Sequence, residues 1–522
     1  MKEELLKFCQ EKSILLDTFL LDFFVELNNY NQTRVFIEKI KNITQKRFLT
    51  KSIIDENKGI FEILVKNVCL NDNKKYNYFI EKITPEKKIE EVELEQLKEK
   101  GNVVVNSKFV KPGKQIKVED FVEYFRNRYE EMSKILQENY DFSNLTSITK
   151  LESGNRGSLV IGIVNQKELT KNGNIILEIE DFSGNIKVLI RSDNKELIKE
   201  AEDISLDSIL GFKGTSNGEV MFVDKIIFPD TKLKEKKYSN NEEYALFIGD
   251  LHYGSKKFMK KSFDNFISYL CGEHENTPEI DKIKYLFISG DLVTGVGNYP
   301  NQEKDLVIGD LESQFQNFAN ELKKIRKDIT IIITPGNHDC VRIMEPQPKL
   351  NSKYAWPLYE LKNVIFTENP AYVKIAANEK FKGFNVLCYH GFSFPYYANN
   401  IPKLVKADAM NDPTKIMKYL LKNRHLAPAH TSTQYFPDKI DPLLIREIPD
   451  IFVSGHTHKS DITIKDNILI VSVSTWEGIT DYQIKLGNKP DHAKVPMINL
   501  KTRAIKILDF EVPEENIEVY KE

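Results

Sequence analysis

The sequence has few cysteines, no long apolar run and almost no net charge, and each of these excludes a class of protein. Its 522 residues include only five cysteines, and no two of them form a CxxC pair. We therefore expect reduced, buried thiols rather than a disulfide framework. No stretch approaches the ~18 consecutive apolar residues of a membrane span, and the charged start MKEELLKFCQEK lacks the apolar core of a secretion signal. These absences predict a cytoplasmic protein that does not bind membranes.

The charge balance limits how the chain could bind nucleic acid. Its net charge is −3 and its pI is about 6.4, while hydrophobic residues make up 41% and charged residues 29% of the sequence. This is the composition of a globular protein. A protein whose whole surface binds nucleic acid is usually more basic, so any such binding must come from a local groove. The length predicts two or three domains.

The apolar pattern changes along the chain and divides it into predicted parts. Apolar residues recur at helical spacing at the start of the chain, and Lys and Glu dominate the stretch that follows, which holds a short predicted strand at Val103–Val105. Helical spacing returns from Val118 to Leu136, and strand patterns follow. The predicted parts are a helical module (1–75), a charged linker (76–117), a domain of one helix plus a β-barrel (118–240) and a strand–loop–helix domain (241–522).

The predicted barrel lies between residues 145 and 230, where the apolar period is two. Five short strands are separated by turn residues such as Asn172-Gly173 and Ser183-Gly184. The hairpin Glu178–Ile186 resembles the central hairpin of OB-fold domains, which often bind single strands. Few aromatic residues lie on these strands, so a structural or partner-binding role is as strong a hypothesis as binding to nucleic acid.

Five short apolar runs in the last domain predict buried central strands, and each ends in a turn that carries metal-binding side chains. The runs are Ala245–Ile248, Tyr285–Ser289, Thr330–Thr334, Val386–Tyr389 and Ile451–Ser454. In layered α/β proteins ligands bind beyond the carboxyl ends of the strands, so the five turns should form one site. A glycine beside each ligand lets the backbone turn sharply there. The turns are Gly249–His252, Gly290-Asp291, Pro335–Asp339, His390-Gly391 and Gly455–His458.

The residue types in these turns suit a pair of transition-metal ions. Carboxylate, imidazole and amide ligands together favour Mn, Zn or Fe. Asp250 and His252 are two residues apart and can reach one ion, and Asp291 can bridge two cations about 3.5–4 Å apart. His456 and His458 have the same spacing, although a loop could direct them to different ions. A single histidine is more often a packed or surface residue, but five of the nine histidines lie in these turns. The turns therefore predict a site for metal-assisted phosphoester hydrolysis.

The motifs D-x-H, G-D, G-N-H-D, H-G and G-H-x-H, in this order, resemble the calcineurin-like metallophosphoesterase superfamily. The resemblance implies a multidomain chain in which an α/β metallophosphoesterase sandwich follows an OB-like barrel and the helical module. It also implies two divalent ions, with Mn²⁺ expected and Mg²⁺, Zn²⁺ and Fe²⁺ as alternatives. Two further residues would be catalytic, with His338 acting near the leaving group and Asp339 steadying it. The implied ligands are Asp250, His252, Asp291 and His458 for one ion and Asp291, Asn337, His390 and His456 for the other.

The domain order and several segments resemble the small subunits of archaeal family D DNA polymerases and the B subunits of eukaryotic replicative polymerases. These segments include Gly290–Pro300, Pro335–Arg342, His425–Pro428 and Ser474-Thr475-Trp476. The resemblance implies a large catalytic subunit as partner and DNA with a single-stranded 3′ end as substrate. It further implies a 3′–5′ exonuclease that proofreads for that subunit and also acts as its scaffold.

Two alternatives remain open from the sequence. The chain could be a stand-alone phosphoesterase or repair nuclease of the same superfamily, although such proteins usually lack a preceding OB barrel. It could also be a non-catalytic scaffold with a vestigial site, although the intact ligand set argues against this. Tyr299, Phe392 and Arg342 are possible substrate contacts. His425 and His430 are possible contacts too, with surface placement favoured for both.

Overall fold

The structure of the chain is a computed structural model. It describes residues 1–44, 47–49, 53, 57–69, 76, 78–80, 102–106, 115–141, 143–154, 157–274 and 277–512. The described residues form two compact units. The first draws on Met1–Glu95, Tyr129–Ile198 and Ile209–Pro229, and the second on Gln96–Arg128, Lys199–Ser208 and Asp230–Glu522. Most of the predicted linker 76–117 lies outside the described residues, and the predicted domain limits stay a prediction.

The first unit begins with helices and two very short strands. These are α1 (Lys2–Glu11), β1 (Leu15–Leu16), α2 (Thr18–Leu27), α3 (Tyr30–Thr44), β2 (Phe48–Leu49) and α4 (Lys58–Val68). The Asp17 side chain caps α2 by accepting a hydrogen bond from the Leu20 N–H, and Asn28 ends it in the left-handed conformation. Buried aromatic rings, among them Phe23 and Phe61, fill the core between the helices. The helical module therefore follows from the apolar spacing, but the parallel pairing of β1 with β2 was not predicted.

The first unit also contains a closed five-stranded barrel. Its strands are β4 (Ser158–Leu169), β5 (Ile175–Asp181), β6 (Gly184–Ile190), β7 (Ile209–Ser216) and β8 (Val220–Ile227), and they are hydrogen-bonded in the order β4-β5-β6-β8-β7. Side chains alternate between the barrel interior and the outside, as the period of two predicts. The turns at Asn172-Gly173 and Ser183-Gly184 join its first three strands. The other elements between residues 104 and 227 are β3 (Val104–Val105), which belongs to the second unit, α5 (Val118–Asn139) and α6 (Lys195–Glu202).

The second unit contains two six-stranded sheets. Their orders are β12-β11-β10-β9-β18-β19 and β16-β17-β15-β14-β13-β3. The strands are β9 (Tyr244–Ile248), β10 (Ile283–Ser289), β11 (Thr330–Thr334), β12 (Val364–Phe366), β13 (Ala371–Ile375), β14 (Phe384–Cys388), β15 (Ile451–Ser454), β16 (Asp461–Lys465), β17 (Ile468–Ser472), β18 (Lys494–Asn499) and β19 (Ile505–Asp509). The helices are α7 (Lys260–Cys271), α8 (Leu311–Lys324), α9 (Ser352–Tyr359), α10 (Phe394–Asn400), α11 (Pro402–Lys406), α12 (Pro413–Asn423) and α13 (Asp481–Leu486).

One apolar core joins the two sheets. It combines Phe247 and Phe287 from the first sheet with Val386 and Val453 from the second, and all four are buried. The short strand β3 lies at the edge of the second sheet and pairs with β13. Strands covered on both faces must be apolar throughout, which explains the five apolar runs in the sequence.

The strand directions place the predicted ligand turns at the carboxyl ends of parallel strands in both sheets. Strands β9, β10 and β11 are parallel neighbours, and β14 and β15 are parallel neighbours in the other sheet. Each of these five strands is followed by one of the predicted ligand turns. The predicted architecture, an α/β sandwich with a preceding barrel and helical module, is confirmed. Among the described residues, no helix combines the length and the apolarity needed to cross a membrane.

Candidate metal centre

The backbone at the candidate ligands adopts a conformation that is uncommon for residues other than glycine. Five of them have a positive φ between 48° and 70°, in the left-handed region. Asp and His tolerate this region better than most residue types, and strained backbone clusters at functional sites. The loops thus hold these residues in a strained backbone conformation, which costs conformational free energy. The five are Asp250, His252, Asp291, His456 and His458.

The first cluster of ligand atoms comes from Asp250, His252 and His458, whose ligand atoms lie within 4.8 Å of one another. Asp250 is fully buried and His252 is 3% exposed. The Nε2 atoms of the two histidines are 3.1 Å apart, and Nε2 of His458 is 3.8 Å from Oδ1 of Asp250. A carboxylate and two imidazoles therefore converge from two loops, the turn Gly249–His252 and the turn Gly455–His458.

The second cluster comes from Asp291, His390 and His456, again with ligand atoms within 4.8 Å. The amide oxygen of Asn337 joins it, because this Oδ1 lies 3.0 Å from Nε2 of His390. Nδ1 of His390 lies 2.9 Å from the carbonyl oxygen of Ser289. That carbonyl can only accept, so Nδ1 carries a proton and Nε2 is the nitrogen that faces the cluster.

Asp291 lies between the two clusters. Its Oδ2 is 3.3 Å from Nε2 of His390 and 3.9 Å from Nε2 of His252. The structure thus groups the seven side chains as the sequence-based hypothesis divides them, with Asp291 shared. A mixed set of carboxylate, imidazole and amide donors around a shared carboxylate fits a pair of divalent cations.

Two glycines make the approach of these ligands possible. Gly290 has a φ of +88°, and a Cβ there would collide with the ring of His390. A Cβ on Gly336 would collide with Oδ1 and the backbone N of Asp291. These glycines are therefore required by close packing around Asp291, in addition to the backbone turn that the sequence predicts.

Burial governs the charges of the site. It lowers the pKa of His252 and of His456 to about 3, and it holds the pKa of His458 well below its usual value. These rings are therefore neutral near pH 7, the form that binds metals. Burial alone would raise the pKa of Asp291, but the neighbouring charge of His390 holds it well below its ordinary range. Asp291 is therefore a carboxylate able to bind cations.

His338 lies at the edge of the clusters, and one of its ring nitrogens is within 4.8 Å of the ligand atoms of His252 and Asp291. Its Nδ1 is 3.0 Å from the carbonyl oxygen of Thr294, so Nδ1 carries a proton and Nε2 is the exchanging nitrogen. The Asn298 amide nitrogen lies 3.1 Å from the same Nδ1 and donates to the Thr294 carbonyl at 3.0 Å. The loop after Asp291 therefore orients the ring.

Asp339 has a different environment from the one predicted. Its carboxylate accepts hydrogen bonds from the backbone N–H groups of Gly336 at 2.8 Å and Val293 at 3.1 Å. The Thr294 carbonyl and the Asn298 amide occupy the Nδ1 side of the His338 ring. Asp339 therefore joins the third ligand turn to the loop after Asp291, and its effect on His338 is through the backbone. Burial raises its pKa to about 7.

Residues that the sequence reasoning did not assign also hold the site together. The Thr475 hydroxyl and the Trp476 N–H both donate to the carbonyl of Asp250, at 2.8 and 3.0 Å. The His456 N–H donates to both carboxylate oxygens of Asp250. The segment Ser474-Thr475-Trp476 was noted in the sequence because it resembles the polymerase small subunits. That resemblance implied no particular role for these residues.

The five residues predicted as possible substrate contacts lie in different environments. Tyr299 is 44% exposed and its hydroxyl donates to Asp305, while Phe392 packs against the ring of His456. Arg342 donates to the carbonyl of Pro346 and stacks on Phe436.

The other two possible contacts, His425 and His430, differ in their exposure to solvent. The predicted surface placement is wrong for His425, which is buried and bonded to Asp441, because a buried acid and a backbone N–H satisfy both its ring nitrogens. His430 is exposed and bonded to Asp207.

Comparison with known proteins agrees with this architecture. The family model "Calcineurin-like phosphoesterase" matches residues 245–460. The "DNA polymerase II small subunit" of Pyrococcus abyssi is 36% identical over 406 residues, which cover 76% of this chain and 64% of the relative. The protein of the same name from Archaeoglobus fulgidus is 34% identical over 411 residues, which cover 78% of this chain and 79% of the relative.

The matched part spans just under two thirds of the Pyrococcus relative. A solved structure of a "Novel Archaeal Phosphodiesterase" overlaps 51% of this chain and 98% of its own at 12% identity, with a TM-score of 0.25 that is too low to support an argument. The family of the phosphoesterase domain implies divalent metal ions. With the sandwich, the barrel and these relatives in agreement, the chain belongs to the family of archaeal DNA polymerase II small subunits.

Proposed function

We propose that this chain is a 3′–5′ exonuclease that removes mismatched nucleotides for a replicative DNA polymerase and also acts as a scaffold for its large catalytic subunit. The observation that carries the proposal is the pair of ligand clusters that share Asp291, in a chain related to polymerase small subunits. We take Asp250, His252, Asp291, Asn337, His390, His456 and His458 as the ligands of two divalent ions, with Mn²⁺ the expected metal.

A pair of divalent cations lowers the pKa of water to near neutrality and offsets negative charge on the phosphoryl oxygens. The donor set suits this, because four neutral or neutralisable imidazoles and an amide limit the negative charge of the site to two ligand carboxylates. A phosphodiester, itself anionic, therefore meets a site whose net charge with the cations is positive.

Among the residues of the chain, we assign to His338 the transfer of a proton during bond cleavage. Because the Thr294 carbonyl holds the proton on Nδ1, Nε2 is the atom that gives or takes a proton. The ring centroid of His338 lies 4.8 Å from that of His252, so the ring is adjacent to the first cluster. In its imidazolium form His338 carries a proton on each nitrogen, so it gives the Nε2 proton to the oxygen that leaves the phosphorus and keeps the Nδ1 proton. Asn298 and Asp339 hold the loops that orient the ring.

The two alternative functions are less well supported. A stand-alone phosphoesterase or repair nuclease has no need of the barrel and helical module that precede the sandwich here. A purely structural subunit has no need of left-handed backbone at five ligand positions, because strain of this kind persists only where the surrounding structure maintains it. Catalysis and scaffolding can coexist in one chain, and we propose both.

The test is digestion of a primer–template with a 3′ mismatch in the presence of Mn²⁺, comparing wild type with His338→Ala. Wild type should release mononucleotides from the 3′ end, and the variant should be about 10²–10⁴-fold slower because it lacks the proton donor. His430→Ala is the matched control, since it removes an exposed imidazole outside both clusters. Equal rates for wild type and His338→Ala would contradict the assigned chemistry.

Copurification tests the scaffold part of the proposal. The full chain expressed with a candidate large polymerase subunit should form a stable complex. Retention of nuclease activity with no complex would favour the stand-alone enzyme. A stable complex in which the Mn²⁺-loaded chain digests neither matched nor mismatched ends would favour the structural subunit.

A further inference from the structure

We propose that Gln483 is a positioning residue that couples cation binding at His458 to the start of helix α13. The inference rests on the metal centre of the proposed function and adds a residue outside its seven ligands. Gln483 lies in a six-residue helix that follows the last ligand turn of the site in the sequence, and neither the ligand motifs nor the chemistry of the clusters assigns it a role.

The geometry separates the two nitrogens of the His458 ring. Nε2 faces the first cluster, 3.1 Å from Nε2 of His252 and 3.8 Å from Oδ1 of Asp250. Nδ1 points the other way and lies 2.8 Å from Nε2 of Gln483. Gln483 is thus the group next to the only ring nitrogen of His458 that does not face the cation position. A neighbour in this place fixes the tautomer and the orientation of a ligand.

The orientation of the Gln483 amide is itself determined by a second contact. The N–H of Thr480 is 2.9 Å from Oε1 of Gln483, and the Gln483 N–H is 3.3 Å from the Thr480 hydroxyl. This reciprocal pair is a capping box at the start of α13. A backbone N–H can only donate, so the amide atom that faces Thr480 must be the oxygen. The amide nitrogen is then the atom left to face His458.

Once a cation binds, the contact of Gln483 with Thr480 and its contact with His458 require opposite orientations of the Gln483 amide. A cation on Nε2 of His458 requires the ring proton on Nδ1, and Nδ1–H needs an acceptor. Gln483 can provide one only by turning its amide over, which places its NH₂ group against the N–H of Thr480. The capping box and a cation-bound His458 therefore exclude one another. Cation binding should open the first turn of α13 at Thr480.

A glutamate at position 483 removes this conflict, because a carboxylate has two accepting oxygens. One oxygen can accept from Thr480 and the other from the Nδ1–H of His458 at the same time. Gln483→Glu should thus bind the first cation at least as tightly as wild type. Gln483→Ala lacks any acceptor and should bind it about 10–100-fold more weakly, as for other groups that orient metal-binding histidines.

The experiment is calorimetric titration of the full chain with Mn²⁺, together with hydrogen exchange of the backbone amides at 480–483 with and without Mn²⁺. Wild type should bind two ions, and Mn²⁺ should speed exchange at Thr480. Gln483→Ala should lose affinity at one of the two sites, and Gln483→Glu should restore it with no Mn²⁺ effect on Thr480. Ile484→Ala, a change at a 63%-exposed neighbour on the same helix, is the control and should match wild type.

The outcomes separate this inference from the proposed function. Two-site binding that is identical in wild type, Gln483→Ala and Gln483→Glu would overturn the role of Gln483 and leave the metal centre standing. Unchanged exchange at Thr480 on Mn²⁺ addition would overturn the coupling to α13. A folded wild-type chain that binds no Mn²⁺ would overturn the metal centre, and the inference with it.

Discussion

Asp441 allows a sharp prediction about the stability of the second unit, because it neutralises a buried arginine. Its carboxylate is fully buried and accepts hydrogen bonds from Arg128 at 2.5 Å, from the Tyr124 hydroxyl at 2.7 Å and from Nε2 of His425 at 2.8 Å. Arg128 is 1% exposed, and its guanidinium also lies over the ring of Tyr435. Asp441→Asn keeps the shape of the side chain and removes the charge, which leaves Arg128 buried without a counter-ion.

The expected loss follows from the burial of both partners. Breaking a buried ion pair by removing one member costs about 3–5 kcal/mol of the free energy of unfolding, because the remaining charge is uncompensated. Replacing the arginine as well, as in Arg128→Met with Asp441→Asn, removes the stranded charge while the Asn amide oxygen can still accept from Tyr124, and this double variant should lose much less stability. The comparison of single and double variants therefore isolates the charge from the packing.

The pH dependence of this contribution has a definite sign. Burial alone would raise the pKa of Asp441, but the charge of Arg128 holds it well below its ordinary range. A carboxyl whose folded-state pKa is lowered contributes stability above its unfolded pKa of about 3.9, and this stability is lost as the pH falls through the folded-state value. The difference between wild type and Asp441→Asn should therefore be constant from pH 7 to pH 5.

The assay is urea unfolding followed by tryptophan fluorescence. The chain has two tryptophans, Trp356 and Trp476, and both lie in the second unit, so the signal reports that unit alone. Asp441→Asn should unfold at a clearly lower urea concentration with an unchanged slope. An unchanged midpoint for the single variant, or a double variant that is as unstable as the single one, would refute the reasoning.

Two further predictions concern the site. Asn298→Ala should slow cleavage by about tenfold while Mn²⁺ affinity stays at the wild-type value, because it loosens the ring of His338 without removing the proton donor; an unchanged rate would count against a positioning role. Gly336→Ala should abolish binding of both ions in a direct Mn²⁺ titration, because its Cβ collides with the shared carboxylate of Asp291; an alanine variant that still binds two ions would show that the loop can move aside.

The sequence predicted most of the central strands and the convergence of the turns that follow them, for a simple physical reason. The division of the candidate ligands between two ions was implied by the family resemblance. Strands buried on both faces must be apolar, and the turns after them are short, so Thr330–Thr334 and Ile451–Ser454 were predicted with their observed limits. Other strands differ by a few residues, as at Ile283–Ser289, where Ile283 pairs with Tyr244 before the predicted start at Tyr285. Strands such as Ile505–Asp509 were missed, because an edge strand with exposed isoleucines has no apolar run.

The contacts that orient the ligands could not be predicted in this way. The Thr294 carbonyl replaces Asp339 beside the ring of His338, and a backbone carbonyl has no signature in a sequence. Gln483 and Thr475 lie 25 and 225 residues away from the ligands that they contact, His458 and Asp250. Both are common polar residue types, and the sequence around them carries no ligand motif. Pairings over such separations are set by the packing of whole elements, which the local pattern does not contain.

The most direct test of the account is a count of Mn²⁺ ions per chain, combined with electron paramagnetic resonance of the loaded protein. The account predicts two ions in wild type with a spectrum of a magnetically coupled pair, since a shared carboxylate holds such ions about 3.5–4 Å apart. Asp291→Ala, which removes the ligand common to both clusters, should lose the coupled signal. A folded wild-type chain with no bound Mn²⁺, or with two ions that show no coupling, would contradict it.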